Sequence, residues 1–143
     1  MAEAVVDSNV VFAARNSRDQ YHDRGSRIIT AMDAGELPRG RVTNYMLPEI
    51  LNPISKRGGH GHAVETLEFL TESRGFRIRQ TSQEDFERGR VLFQRTEGVE
   101  ITDAITVAHM RRTDTTHIYS FDDDFDRFDD LTRLTTDDDP FDR

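Results

Sequence analysis

The apolar positions of this chain alternate between short compact runs and stripes at helical spacing. Residues 3 to 7, EAVVD, are such a run closed by Asp7, and they predict a short buried strand with Ser8 and Asn9 as candidate caps of the helix that follows. From about Asp19 to Ala34, Tyr21, Ile28, Ile29 and Met32 predict a second helix, closed by Gly35 and Pro38. GRVTNY is a brief strand. YMLPEILNPIS reads as a helix with Pro48 in its first turn, where a missing N–H costs little, and with Pro53 expected to kink or end it. KRGGHGH, residues 56 to 62, predicts a loop, after which Val64, Leu67 and Leu70 form a helical stripe that Gly75 stops.

The second half repeats the alternation. FRIRQT alternates as a strand, and SQEDFERGRVLFQR opens a helix with a loose capping box from Ser82 to Asp85. TDAITVAHMRR predicts a helix from Thr102 or Asp103, HIYSF a strand running into Asp122, LTRLTT a marginal last strand, and DDDPFDR a frayed acidic tail. Strands alternating with helices predict an α/β class, a sandwich around a mostly parallel sheet. The expected organisation is one domain over residues 1–136, followed by the tail at 137–143.

Composition narrows the chemistry. The 143-residue chain has no cysteine, which excludes disulfides, zinc–thiolate sites and thiol nucleophiles and leaves oxygen or histidine as metal donors. No apolar run approaches the roughly 20 residues needed to span a bilayer, and the N-terminus lacks a basic region with a cleavage pattern. The expectation is a cytoplasmic protein without membrane contact. Net charge is -8, with 17 aspartates against 10 glutamates and 18 arginines against the single Lys56. Short, strongly hydrated carboxylates with scarce lysine predict a halophilic, haloarchaeal protein adapted to molar salt. At about 1 M salt the Debye length is about 3 Å, so acidity does not veto an RNA substrate.

Two acidic residues end predicted strands, Asp7 and Asp122, and ligands of open α/β sheets bind beyond strand carboxyl ends. Asp103 starts a helix and Glu49 lies in the first turns of another. Four carboxylates from distant parts of the chain converging on one face would require neutralisation, and oxygen donors suit Mg2+ or Mn2+. Each has a plainer reading: Asp7 as a cap, Asp103 as a helix-start acid, Glu49 as a solvated residue, Asp122 to Asp124 as a surface run. Within SFDDDFDRFDD, Asp122, Asp124 and Asp126 match positions 1, 3 and 5 of an EF-hand loop, but Arg127 and Arg133 stand where glycine and the bidentate glutamate belong. A phosphoacceptor receiver domain would need a lysine at a strand end, which Lys56 beside its glycine loop does not supply. His60 and His62 lack the third ligand of a catalytic zinc site and read as a flexible loop.

Taken together, VVDSNVVFAA, LPEIL, ITDAITVAHM and IYSFDDDFDRF resemble, in order, the four acidic motifs of the PIN-domain nucleases, and the length is similar to that of VapC-type toxins. The resemblance implies a five-stranded parallel sheet in the order 3-2-1-4-5. It further implies that Asp7 and Asp103 are the principal metal ligands, joined by Glu49, Asp122 and Asp124. Ser8, Asn9 and Ser120 match small polar supports, while Pro48 departs from the family pattern. The implied activity is Mg2+- or Mn2+-dependent hydrolysis of RNA, leaving a 5′-phosphate. The implied partners are a second copy of the chain and an antitoxin that blocks the acidic cleft. Arg15, Arg18, Arg111 and Arg112, near the motifs in sequence, are candidate phosphate contacts, since the guanidinium fork matches phosphate oxygens. Phe121, Phe125 and Phe128 are read as anchors of the acidic segment. Asp123, Asp126, Asp129 and Asp130 are read as solvated surface. A housekeeping RNA-processing nuclease and a non-catalytic binding module of the same fold are the alternatives.

Overall fold

A computed structural model describes residues 2–142 as alternating strands and helices. The strands are β1 (Glu3–Val6), β2 (Arg39–Thr43), β3 (Phe76–Arg79), β4 (His117–Tyr119) and β5 (Thr132–Leu134). The helices are α1 (Ser8–Arg15), α2 (His22–Asp33), α3 (Met46–Gly58), α4 (His60–Glu72), α5 (Gln83–Arg95) and α6 (Ile101–Arg112). The five strands form one parallel sheet in the order β3-β2-β1-β4-β5, flanked by the helices in three layers.

Ala4, Val5 and Val6 are fully buried, as a central parallel strand covered on both faces requires. Val5 pairs with Arg41 on one side and Ile118 on the other, which sets the carboxyl ends of β1 and β4 side by side. The expected marginal strand forms and pairs with β4 from His117↔Thr132 to Tyr119↔Leu134. Helix α6 is buried from Asp103 to Met110 on nearly every side, so it carries no amphipathic stripe.

Two local expectations are overturned. Helix α3 continues through Pro53 to Gly58. An interior proline costs about 3 kcal/mol, but Met46, Ile50 and Ile54 form a buried stripe that continues past it. Pro48 sits at the third helical position, where its missing N–H is one of the unpartnered ones anyway. The predicted loop at 56–62 is reduced to Gly59, whose φ of 92° breaks the chain between α3 and α4. His62 therefore lies in α4, where its Nε2 donates to the carbonyl of Arg15 and ties α4 to the end of α1. The capping box forms in full: Ser82 Oγ accepts from Asp85 N, and Asp85 accepts from Ser82 N.

Candidate active site

Asp7 occupies the turn between β1 and α1 and is nearly fully buried. It is the N-cap of α1, accepting from Ser8 N at 2.8 Å, so the plainer reading is also satisfied. The cap role falls to Asp7 and not to Ser8 or Asn9, because Asp7 is the single residue between the end of β1 and the start of α1. Three further donors hold the carboxylate. Ser120 Oγ donates to Oδ2 at 2.6 Å, Asn9 Nδ2 to Oδ2 at 3.2 Å, and Ser8 Oγ lies 3.5 Å from Oδ1. Burial nevertheless raises the Asp7 carboxyl above its ordinary value, with the Asp122 charge adding to the rise.

Glu49, in the first turn of α3, is joined to this group by Ser8 Oγ, which donates to Oε1 at 3.3 Å. Burial and then the Asp7 charge raise its carboxyl. Asp103, at the third position of α6, is pushed up to about 8, first by burial and then by Asp7, Asp122, Glu100 and Glu49. Four predicted acids thus share one field. Glu100 is the member that sequence reasoning missed: it is the N-cap residue of α6, yet its side chain makes no cap hydrogen bond. A glutamate at a position that favours Ser, Thr, Asp or Asn was the available signal.

Asp122 follows β4 and caps a 3-10 turn, Asp123–Arg127, by accepting from Asp124 N at 2.9 Å. Ser120 Oγ accepts from Asp122 N at 3.0 Å while donating to Asp7, so one hydroxyl connects the first and fourth acidic segments. Phe125 and Phe128 are buried anchors of this segment, as expected, and Phe121 stacks on Tyr21. Asp126 and Asp130 are more than surface: they pair with Arg133 and Arg111 and staple the segment to β5 and α6.

All donors here are oxygens, a set that fits a hard divalent cation. Among the described residues, the one trio with ligand atoms mutually within 4.8 Å is Asp122, Asp123 and Asp124. Those three are consecutive and at least partly exposed, and Asp124 already pairs with Arg127 at 3.3 Å. The group of Asp7, Glu49 and Asp103, joined at its edge by Asp122, has more to gain from a cation, because burial without neutralisation raises the carboxyls of the first three.

Three of the predicted phosphate contacts are not brought to the acids. Arg111 forks onto Asp130 and Arg112 onto Asp85, both at the far end of α6 from Asp103. Eight or more helical residues carry them roughly 12 Å away at 1.5 Å per residue. Arg15 likewise ends α1, where it donates to Thr66 Oγ1 at 3.0 Å and lies 3.8 Å from Glu65. Arg18 lines a separate cavity with Arg15 and Arg57.

This geometry has known counterparts. Residues 4–131 match the PIN domain. The fold is similar to that of VapC20 from Mycobacterium tuberculosis, a Sarcin-Ricin loop cleaving toxin, with a TM-score of 0.74 and 25% identity over 87% of this chain and 93% of that one. It is also similar to VapBC2 from Rickettsia felis bound to a DNA fragment from their promoter, with a TM-score of 0.69 and 13% identity over 92% and 97% of the two chains. VapBC-1 from nontypeable Haemophilus influenzae has a TM-score of 0.65 and 14% identity over 92% and 96%. No match is found among the curated proteins. With four acids at the carboxyl edge of a 3-2-1-4-5 sheet and a domain match spanning most of its length, the chain belongs to the PIN-domain family.

Proposed function

We propose that this chain is a divalent-cation-dependent endoribonuclease and the toxin of a type II toxin–antitoxin pair. The observation that carries the reading is the meeting of acidic residues from distant segments at the carboxyl edge of the sheet, where Ser8 links Asp7 to Glu49 and Ser120 links Asp7 to the Asp122 segment, with Asp103 raised by the same neighbours. Carboxylates from distant segments do not gather around two buried ones, Asp7 and Asp103, without a counter-charge, and oxygen donors favour Mg2+ or Mn2+. Such an ion, when bound, supplies activation of water and neutralisation of phosphodiester charge. Asp7, Glu49, Asp103 and Asp122 are the residues that would hold it, with Asp124 at the rim.

The chain's own groups do the positioning. Ser120 and Asn9 fix the Asp7 carboxylate, and Ser8 couples it to Glu49. Asp103, whose carboxyl burial and its acidic neighbours push up to about 8, would give up its proton to hold the cation. The reaction is hydrolysis of an RNA phosphodiester that leaves a 5′-phosphate, with no covalent enzyme intermediate.

RNA as substrate is supported by the likeness to VapC20, and an antitoxin partner by the likeness to VapBC assemblies. Exposed Phe86, Val91 and Phe93 on α5 offer apolar surface for a homodimer. Among the described residues no helix is long and apolar enough to cross a membrane, and a cytoplasmic protein working in molar salt completes the reading. The test is cleavage of RNA by purified protein in high salt, with and without Mg2+ or Mn2+. Asp7→Asn and Asp103→Asn should each lose about 100-fold or more, and variants as fast as the parent would sink the site. Relief of growth arrest by a co-expressed adjacent gene tests the toxin role.

A further inference from the structure

We propose that Tyr21 and Arg24 form a nucleotide subsite beside the acidic cleft, in which the Tyr21 ring stacks on an unpaired RNA base and Arg24 contacts the adjoining phosphate. The inference rests on the nuclease reading and extends it to how the strand is held.

A cavity of about 560 Å3 borders the cleft and is lined by Tyr21, Arg24, Phe121, Asp122, Asp123 and Arg133. It shares Asp122 with the acidic field, so a strand with its phosphodiester at the acids would enter it. Tyr21 and Phe121 are stacked, with ring centroids 4.6 Å apart and planes inclined by 20°. Tyr21 nevertheless remains 36% exposed. Single-stranded nucleic acid stacks on exposed rings, because every base offers a π-face.

The platform is tied to the acids. Asn9 accepts from Phe121 N at 3.2 Å through Oδ1 and donates to Asp7 through Nδ2. One side chain therefore sets the distance between the stack and the principal acid.

The cations of this cavity differ. Arg133 is engaged by Asp126 and by the Ser120 carbonyl. Arg24 is exposed and, among the described residues, has no hydrogen-bond or ion-pair partner. A guanidinium free to fork onto phosphate oxygens beside an aromatic stack matches a nucleotide better than an apolar peptide.

The role is testable with a short single-stranded RNA carrying one 2-aminopurine, its duplex as control, and the full chain in EDTA. Parent and Tyr21→Phe should quench the probe. Tyr21→Leu, which keeps the apolar contact with Phe121, should abolish quenching and weaken binding about 5- to 150-fold. Arg24→Gln should lower the salt slope of binding by about one. With Mg2+ both substitutions should raise KM and leave kcat nearly unchanged. A parent that cleaves RNA while Tyr21→Leu retains parental quenching and KM overturns the subsite alone. Equal quenching by the duplex also overturns it. A parent that binds and quenches but never cleaves with Mg2+ or Mn2+ overturns the nuclease reading instead, and one that does not bind RNA overturns both.

Discussion

Ser120 Oγ donates a 2.6 Å hydrogen bond to Asp7 Oδ2 across 113 positions of sequence, joining the ends of β4 and β1. The same hydroxyl accepts from Asp122 N. Adjacent parallel strands bring the two segments together, and this fully buried group then sets their spacing.

Ser120→Ala should therefore disturb the site more than the fold. It removes the shortest donor to Asp7 and leaves the Asp122 N–H without its side-chain acceptor, a loss of about 1–3 kcal/mol. Groups that orient metal ligands typically contribute about 10- to 100-fold in affinity or activity. The expected result is RNA cleavage reduced by that factor, with half-saturation moved to higher Mg2+. An unchanged Mg2+ dependence would show that Ser120 is only packing.

Asp103 makes the cation-free protein pH-sensitive. Its folded value of about 8 lies above the unfolded carboxyl value of about 3.9. The folded state thus holds a proton that the unfolded chain has released, so this contribution is fully present below about pH 4 and is lost as pH rises through about 8. The Tm measured in EDTA should fall from pH 5 to pH 8.5, and Asp103→Asn should reduce the fall and exceed the parent at pH 8. Added Mg2+ should raise the parent's Tm at pH 8, by about 2.7 kcal/mol of stability at 100 times Kd. A parental Tm that is flat with pH and indifferent to Mg2+ would refute the buried acidic field.

Asp85 has the opposite electrostatics. It is fully buried, and although burial pushes it up, Arg112, the Ser82 N–H and His109 together hold its carboxyl well below the usual range. His109 Nδ1 donates to it at 2.9 Å, and Arg41 Nη1 approaches His109 Nε2 at 3.4 Å. A depressed carboxyl contributes stability that is present above about pH 4 and lost as pH falls toward its folded value. Burial also holds His109 below its ordinary value, which adds a loss of stability as pH drops below about 6.5. Asp85→Ala strands a buried histidine and opens the capping box. Chemical denaturation at pH 7 should report a loss of roughly 3–5 kcal/mol, and the acid limb should shrink. A loss under about 1 kcal/mol would mean the network is idle.

The acids at strand ends were legible because a strand end is a place in three dimensions as well as in sequence. Asp7 and Asp122 follow apolar runs that could only be β1 and β4, and strand order then makes them neighbours. The arginine candidates show the converse: Arg111 and Arg112 follow Asp103 closely in sequence, but α6 carries them to its far end, where they pair with Asp130 and Asp85. Pro53 misled because local preference was set against a buried stripe, Met46, Ile50 and Ile54, that continues past it. Glu100 offered only the weak signal of a glutamate at a cap position, since its proximity to Asp103 depends on how α6 enters the cleft.

That path of α6 depends on Gly89. A Cβ at this position would stand 2.6 Å from Ile105 Cγ1 and 2.7 Å from Ile105 Cα, so α5 and α6 touch through backbone that cannot yield. Alanine is the better helix former by about 1 kcal/mol, and Gly61→Ala in α4, with nothing within 4 Å, should gain from it. Gly89→Ala should instead cost about 1–3 kcal/mol by overpacking. Ile105 lies two residues beyond Asp103, so the displacement also reaches the acids and RNA cleavage should fall with stability. Thermal melts and cleavage rates of the two variants form the test, with Gly61→Ala more stable and fully active. If Gly89→Ala also melts higher than the parent, the close approach of α5 to α6 is wrong, and with it the account of how Asp103 is positioned.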